Sequence, residues 1–358
     1  MWPTSVSRPE GSAPPTPLNR RGWILAGVGF GVLILVGVMA TWLSAGAGRP
    51  TSPVYDNSIP AAARTWTWDG KDFTALPTTG PGPSSNDADM AFDRKSGNVV
   101  LWDHGCTRLV MGFTGGCHSL VDQTWTWAGQ SWTRQQAATT PTAIGQGAMV
   151  YDAKLGQVVY VNRVGQAWAW TGSNWQAVAR AGAPRLAEPG AAAGQSASLV
   201  AAGYDEARGQ LVLALPSSTW TWDGQSWNQA AGGIEATDAQ PDPRAVYDGA
   251  FRQLVFLGAG ATWTWDGSHW LAHPQPNLGG GTAAYDPARK SLVVVNPDNN
   301  ACDKTACTAK AWTWDGMTWS TAPAPHLPSL PLTRSGARNL PVAYDENRGL
   351  LVVFISAS

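Results

Sequence analysis

The feature of this sequence that most constrains its fold is a pattern that returns six times after residue 60. One half of the pattern is an apolar strand ending in an aromatic-Asp pair, a short turn, and a second strand rich in Val and Leu. The other half is Trp-x-Trp, a tight turn, and an aromatic residue five positions after the second Trp. Each half predicts a β-hairpin, because turn residues separate two short runs of strand-forming residues.

The copies account for the unusual tryptophan content of the chain. Seventeen of the 21 Trp lie in the Trp-x-Trp halves, so their repetition predicts core positions rather than a ligand-stacking surface. The aromatic-Asp halves begin at Ala91, Val150, Gly203, Val246, Ala284 and Ala343, and the Trp-x-Trp halves begin at Thr65, Thr124, Ala167, Thr219, Thr262 and Ala311.

Two hairpins per repeat predict a four-stranded antiparallel sheet whose faces are buried when the sheets stack around an axis. The first half-repeat, residues 61–76, is a Trp-x-Trp hairpin, and the last, 340–356, is an aromatic-Asp hairpin. Together they would complete a sixth sheet and remove two exposed edges. The sequence therefore predicts an all-β, six-bladed β-propeller over residues 61–358.

The turns carry their own predictions. Asp-Gly pairs between apolar runs favour type I′ turns, in which both central residues have positive φ; they stand at Asp69-Gly70, Asp223-Gly224, Asp266-Gly267 and Asp315-Gly316. In the aromatic-Asp turns, the Asp can bond the turn backbone, and Gly can supply a left-handed residue. Those glycines are Gly97, Gly156, Gly209 and Gly349.

The segment before the repeats predicts a membrane anchor. Residues 22–43 contain no charged residue and, as a helix, would rise about 33 Å, enough to cross the hydrocarbon core. Basic residues are more numerous before this segment than just after it, which predicts a cytoplasmic N-terminus and an extracytoplasmic propeller. Residues 1–21 are predicted to be a disordered cytoplasmic tail, and 44–60 a flexible linker. The competing interpretation is a cleaved signal peptide.

Charge and cysteine content narrow the function. The chain has 24 Lys+Arg against 25 Asp+Glu, so it lacks the basic excess of a nucleic-acid binder. Its four cysteines form two local pairs, Cys106 with Cys117 and Cys302 with Cys307, which predict disulfides in an oxidising compartment. Zinc held by the first pair with His104 and His118, and calcium in the polar loop of Asp298, Asn299, Asn300 and Asp303, are the alternatives. We predict no metal and no cofactor.

The repeats resemble Kelch repeats, as in the central domain of galactose oxidase-like proteins. The resemblance rests on the aromatic-Asp turn, the Val-rich strand, Trp-x-Trp-Asp-Gly and the closing Trp, and it spans about residues 61–358. The Gly-Gly pair usual after the second Kelch strand is approached only at Gly258-Ala259-Gly260. The resemblance implies a propeller whose functions range from protein scaffold to oxidase, so it does not assign an activity.

We find no matching catalytic set. The copper site of galactose oxidase-like enzymes needs Tyr, His and a cross-linked Cys, and here each Cys has a near partner. Sialidase propellers carry an Asp-box, but in Asp223-Gly224 the two residues are adjacent, one position too tight, and no arginine triad is visible. The sequence therefore predicts a non-enzyme, with a degenerate carbohydrate-active enzyme as the alternative. A convergent cluster of Asp, Glu or Arg at the channel mouth would favour that alternative.

The connections after the second and fourth strands of each blade are long and variable, whereas those after the first and third are short. Variable loops on a rigid scaffold are where binding usually occurs. We therefore predict that a surface protein, peptide or glycan binds at the long-loop face, unless the propeller is a structural module without a ligand. Trp102, at the end of a strand, is predicted to be exposed. The candidate residues are Trp102, Asp103, His104, Arg108, Asp303, Arg334 and Arg338.

Overall fold

The computed structural model describes residues 64–77, 80–84, 87–110, 116–142, 147–178, 199–235, 242–276, 278, 282–302, 306–322, 329–331 and 340–355. All of them belong to one compact unit, Asp56–Ser358. The tail, the membrane helix over 22–43 and the linker that the sequence predicts lie outside this range. Within it, no helix is long and apolar enough to cross a bilayer.

The described residues form six four-stranded antiparallel sheets, which we number as blades I to VI. Blade VI combines the first and last strands of the chain. Blade I is β3 (Ala88–Asp93), β4 (Asn98–Asp103), β7 (Gln123–Trp127) and β8 (Trp132–Gln135); blade II is β9 (Ala148–Asp152), β10 (Gln157–Val161), β11 (Ala167–Trp170) and β12 (Trp175–Ala177); blade III is β13 (Ala201–Asp205), β14 (Gln210–Ala214), β15 (Thr219–Trp222) and β16 (Trp227–Ala231); blade IV is β17 (Val246–Asp248), β18 (Gln253–Leu257), β19 (Ala261–Trp265) and β20 (Trp270–Pro274); blade V is β21 (Thr282–Asp286), β22 (Ser291–Cys302), β23 (Ala306–Trp314) and β24 (Trp319–Thr321); blade VI is β26 (Val342–Asp345), β27 (Leu350–Ile355), β1 (Arg64–Trp68) and β2 (Phe73–Ala75).

The ring is closed by contacts between its innermost strands. In the order of the blades, β3, β9, β13, β17, β21 and β26 each contact the next, and β26 contacts β3. In blade VI, β27 pairs antiparallel with β1, so that Phe354 lies opposite Thr65 and Val353 opposite Trp66. A six-bladed β-propeller of four-stranded blades results.

The core lies in the seams between neighbouring blades. Each buried cluster joins two blades: Tyr204 of blade III, for example, packs with Val159 and Val161 of blade II. The second Trp of each Trp-x-Trp pair is buried in all six blades, which confirms these positions as core. Burial of such side chains is the main stabilising contribution to each seam.

Hydrogen bonds repeat along four of the seams. The closing Trp of one blade donates its Nε1–H to the first Thr of the preceding blade's Thr-Trp-Thr-Trp strand, at 2.8–2.9 Å. The pairs are Trp132–Thr65, Trp175–Thr124, Trp270–Thr219 and Trp319–Thr262.

The Asp-Gly turns differ from the prediction. In the described residues, positive φ occurs at Gly70, but Asp69 is not among the residues with positive φ. The strand register pairs Trp68 with Phe73, so four residues form the loop rather than two. The carboxylate of Asp69 accepts hydrogen bonds from the amides of residues 71 and 72, at 2.8 and 3.0 Å. Side-chain capping of a longer loop therefore replaces the predicted type I′ turn.

The aromatic-Asp turns confirm the prediction for the left-handed position. Gly97, Gly156, Gly209 and Gly349 have φ between 64° and 71°. At the same position, blade IV has Arg252 and blade V has Lys290, with φ of 55° and 53°. Arg252 and Lys290 therefore adopt a backbone conformation that strains a residue with a side chain but not glycine.

Both cysteine pairs lie in connections that follow the second strand of a blade. In blade V, the extended β22–β23 hairpin places Cys302 opposite Cys307, and β25 (Ser329–Pro331) pairs with β23. In blade I, a separate hairpin of β5 (Cys106–Val110) and β6 (Gly116–Leu120) places Cys106 opposite Leu120 and Cys117 opposite Leu109. The side chains of the four cysteines lie outside the described residues, so both disulfides stay predictions.

Candidate functional site

Three of the candidates on the long-loop face are buried, and for Trp102 this contradicts the predicted exposure. Trp102 is 1% exposed, Asp103 is fully buried and His104 is 6% exposed. The Trp102 ring packs edge-on against Tyr160, with 4.6 Å between ring centroids, and its Nε1–H donates to Asp122 at 3.0 Å. Trp102 is therefore a seam residue between blades I and II.

The polar neighbours of Trp102 hold the end of blade I together. Asp103 accepts hydrogen bonds from the amide and hydroxyl of Ser84 at 2.8 and 3.0 Å. His104 Nε2 lies 2.8 Å from Asp89 Oδ2. Burial by itself would lower the pKa of His104, but the hydrogen bond and negative charge of Asp89 outweigh burial and raise it. These contacts are those of a structural network.

The other candidates are not placed by the structure. Asp303, Arg334 and Arg338 lie outside the described residues, as do the side chains of Arg108 and of the four cysteines. Among the described residues, no group of three or more His, Cys, Asp or Glu is arranged to hold a metal ion.

A cavity lies on the ring axis and opens at the face opposite the long loops, among the aromatic-Asp turns. Its volume is about 940 Å³, within the range of pockets that hold small molecules. Its wall is formed by small and apolar residues of the innermost strands, such as Met90, Ala245 and Val342. We call this space the axial cavity.

All six aromatic residues of the aromatic-Asp pairs line the axial cavity; they are Phe92, Tyr151, Tyr204, Tyr247, Tyr285 and Tyr344. Each also packs on the preceding blade: burial, with the nearby Asp152 of blade II, raises the pKa of Tyr204 to about 12. Burial and Asp286 of blade V raise the pKa of Tyr344 to about 12 in the same way. The hydroxyl groups of Tyr204 and Tyr344 are thus held in the seams while their rings border the cavity.

An ion-pair cluster crosses the mouth of the axial cavity. Arg94 of blade I donates from Nη2 to Glu206 of blade III at 2.8 Å and from Nε to Glu346 of blade VI at 2.7 Å. Its guanidinium carbon lies 5.6 Å from the ring centroid of Tyr151, in blade II. Burial would lower the pKa of Arg94, but the two glutamates outweigh it and raise the pKa. We call Arg94, Glu206 and Glu346 the mouth cluster.

The mouth cluster covers one side of the opening only. Arg94, Glu206 and Glu346 each directly follow the Asp of their turn, and the same position holds Ala153, Gly249 and Pro287 in the other blades. Gly249 and Pro287, in blades IV and V, border the cavity and are exposed. The small side chains leave an entrance beside the charged bridge.

The opposite end of the axial cavity is closed by Arg244 of blade IV. Its Nη1 donates to the carbonyl oxygens of Met90 and Val342, both at 2.9 Å, and its Nη2 to that of Ala283 at 3.1 Å. These carbonyls belong to blades I, VI and V. Beyond Arg244 lies a space of only about 10 Å³, close to the size of one water. The channel is thus a blind cavity in the described residues.

At the level of the sequence, the channel mouth is named only as a place where a charged cluster would favour an enzyme, and every candidate binding residue is predicted on the long-loop face instead, although a signal is present. The position after the Asp holds the three charged residues of the mouth cluster in blades I, III and VI, and uncharged residues in the other three blades. A repeat position that is charged in three copies and small in three indicates a role other than stacking the blades. This arrangement can bind a ligand that enters beside the bridge and contacts aromatic rings and charged groups together.

No protein-family model matches the chain, and no curated protein matches it. Among solved structures, the chain is similar to a putative TolB from Agrobacterium tumefaciens, at 10% identity and a TM-score of 0.47 over 82% of this chain and 99% of the other. YCF48 from Cyanidioschyzon merolae gives 13% identity and a TM-score of 0.35 over 77% and 97%. The SapL1 lectin, in complex with alpha methyl fucoside, gives 15% and 0.42 over 73% and 85%. Nothing about a ligand follows from likeness at this level.

Proposed function

We propose that this chain is a non-enzymatic, membrane-anchored propeller outside the cytoplasm, with divergent Kelch-like repeats, that binds a protein, peptide or glycan in its axial cavity. The observation that carries the proposal is the cavity itself: about 940 Å³, bordered by six aromatic residues and open at one end. A concave, mainly apolar site with a few polar groups is the usual form of a ligand pocket.

The mouth cluster is a convergent group of Glu and Arg at the channel mouth, which is the feature that would favour the enzyme alternative. The pairing within the cluster nevertheless favours binding over catalysis. A glycosidase needs two carboxyl groups with separate roles, one of which donates a proton to the leaving oxygen. Here Oε1 of Glu206 and Oε1 of Glu346 both bind the same guanidinium. The enzyme alternative retains this pair of carboxylates as its one specific candidate. A hydrolysis assay on wild type and on the Glu206→Gln and Glu346→Gln variants tests it, and turnover abolished by either change would support the enzyme.

The binding site can be tested by narrowing the mouth. Ala250 is exposed and borders the cavity, so Ala250→Trp places an indole across the entrance. Ala288 occupies the same turn position in blade V and is exposed but does not line the cavity. The full chain, in wild-type, Ala250→Trp and Ala288→Trp forms, is screened against glycans and cell-surface proteins.

We expect Ala250→Trp to abolish binding and Ala288→Trp to retain it. Binding that withstands Ala250→Trp but is lost in an Arg334→Ala, Arg338→Ala variant would instead place the site on the long-loop face. An absence of any binding would favour a structural module.

Membrane anchoring rests on the sequence of residues 22–43 and has its own test. We expect the full chain to sediment with membranes and to resist salt extraction, and a chain lacking residues 22–43 to be soluble. The mass of the mature protein distinguishes an anchor from a cleaved signal peptide, since cleavage would remove the segment. Protease added outside intact cells is expected to digest the propeller.

A further inference from the structure

We infer that the ligand of the axial cavity is a neutral saccharide; this inference rests on the proposed function and adds the chemical class of the ligand. The balance of charges on the turn face disfavours an ionic ligand. The six aromatic-Asp turns, from the aromatic residue to the left-handed position, carry eight acidic and eight basic side chains. The acidic ones are Asp93, Asp152, Asp205, Glu206, Asp248, Asp286, Asp345 and Glu346; the basic ones are Arg94, Lys95, Lys154, Arg208, Arg252, Arg289, Lys290 and Arg348. A mouth without net charge offers no long-range attraction to an ion of either sign.

The pairing of charges inside the mouth cluster also disfavours a charged ligand. A cationic ligand would have to compete with Arg94, which already binds both glutamates and lies over Tyr151. An anionic ligand would meet the carboxylates of Glu206 and Glu346 at the same mouth as the cations Arg94 and Lys290, so these four charges offer it no net attraction. A hydroxyl group both donates and accepts, so it can bond to the carboxylates and to the guanidinium without breaking their pairing.

The aromatic wall favours a ligand with an apolar face. Tyr247 and Tyr285 are partly exposed and border the cavity, as does Tyr151, whose ring lies under Arg94, whereas the hydrophobic wall behind them is formed by Ala, Val and Met. An aromatic face carries partial negative charge and attracts the weakly positive C–H groups on one face of a sugar ring. A sugar ring has such an apolar face and a hydroxyl-bearing edge, which matches rings below a polar mouth.

The size of the cavity is compatible with this class. At about 940 Å³, it lies at the upper end of the 300–1,000 Å³ typical of small-molecule pockets. Arg244 closes the far end and has its Nη groups committed to backbone carbonyls. The ligand therefore enters and leaves through the turn-face mouth, as the end of an oligosaccharide chain can.

The test measures binding of defined probes to the full chain in lipid nanodiscs by calorimetry. Neutral probes are cellotetraose, maltotetraose, mannotetraose and N-acetylchitotetraose; charged probes are tetragalacturonate, the chitosan tetramer and tetralysine. The variants are Tyr247→Leu, which removes a ring, its matched control Tyr247→Phe, which keeps the ring, and Ala250→Trp. We expect a neutral probe to bind about tenfold more weakly to Tyr247→Leu, to change little with Tyr247→Phe, and to be lost with Ala250→Trp.

The outcomes separate the two proposals. Binding of only the charged probes, blocked by Ala250→Trp, would overturn the saccharide and leave the axial site standing. Binding of a neutral probe that ignores Ala250→Trp would overturn both. Failure of all neutral probes would overturn the saccharide. If Tyr247→Leu does not fold, the Ala250→Trp arm still decides, because neutral and charged probes are compared on the same wild-type and Ala250→Trp chains.

Discussion

The seams between the blades and the axial cavity that they enclose use equivalent repeat positions in opposite ways. At a seam, the same residue pair recurs: the closing Trp donates to a Thr of the preceding blade in four of the six seams. At the far end of the cavity, the position three residues before the aromatic holds Asp89 in blade I and Arg244 in blade IV, and uncharged residues in the other four. Residues that recur between copies stack the blades, whereas residues that differ between copies shape the ends of the cavity.

In the other two seams, Ala replaces the Thr that would accept this hydrogen bond. Blade II has Ala167 in place of Thr, and Nε1 of Trp227, which faces that position, has no hydrogen-bond partner among the described residues. Blade V also has Ala, at Ala311, and there the closing residue is Phe73, which has no donor. Three states of one pair therefore coexist: Trp with Thr, Trp with Ala, and Phe with Ala.

The largest expected effect comes from removing the closure of the cavity. Arg244→Met leaves three carbonyl groups from three blades without their donor, so we expect the free energy of unfolding to fall by about 3 kcal/mol. Urea titration measures it. Arg244→Lys keeps the charge but not the forked geometry, so we expect its free energy of unfolding to lie between those of wild type and Arg244→Met. A loss under about 1 kcal/mol for Met would show that Arg244 does not tie the blades together.

A second unrepeated contact, between His104 and Asp89, is expected to depend on pH. Because the pKa of His104 is raised above its ordinary 6.5, its stabilisation is complete below about pH 6.5 and is lost as pH rises through the higher folded-state pKa. The other groups that act on this pKa are Asp87 and Asp103, which raise it further.

The control for this contact is His104→Gln, whose amide can donate at any pH. We expect wild type to exceed the variant in unfolding free energy by about 2 kcal/mol near pH 6 and by less near pH 9. A difference that stays constant over this range would mean that the charge of His104 contributes nothing.

The seam rule predicts a stabilising change. Ala167→Thr supplies the acceptor that Trp227 lacks, and we expect a gain of about 1 kcal/mol in the free energy of unfolding. The gain should vanish in the double variant Ala167→Thr, Trp227→Phe, as a double-mutant cycle would show. In the intact III–IV seam, Trp270→Phe should cost a similar amount. A neutral or destabilising Ala167→Thr would contradict the rule.

The smallest effect on stability is expected at the mouth cluster. Arg94, Glu206 and Glu346 are each more than a third exposed, so Arg94→Met should change the free energy of unfolding by less than about 1 kcal/mol. Thermal unfolding at low and high salt checks it. A large loss would assign the cluster to the fold and remove it from the binding site.

The architecture could be predicted from the sequence because a propeller is specified by repetition. The half-repeats that contain Tyr204 and Tyr344, for instance, share one pattern, and this pattern predicts the same strand and turn in both. Turn geometry was predicted less well: the loop at Asp69 takes four residues because its carboxylate caps two amides, which an Asp-Gly pair alone does not reveal.

The site could not be predicted in the same way. The position of Trp102 outside the repeated Trp positions predicts a surface residue, yet Trp102 fills a seam against Tyr160. Arg94 and Glu206 belong to blades that are not adjacent, so only the closed ring brings them together. A repeat shows which blades stack, but not which side chains meet across the axis.

The most direct test of the account is a crystal structure of the full chain grown with a neutral tetrasaccharide that binds it. We predict sugar density in the axial cavity, against Tyr247 and Tyr285 and within hydrogen-bonding distance of the mouth cluster, with Arg244 unmoved. Density in a seam between blades or on the long-loop face, with the axial cavity filled only by solvent, would contradict it.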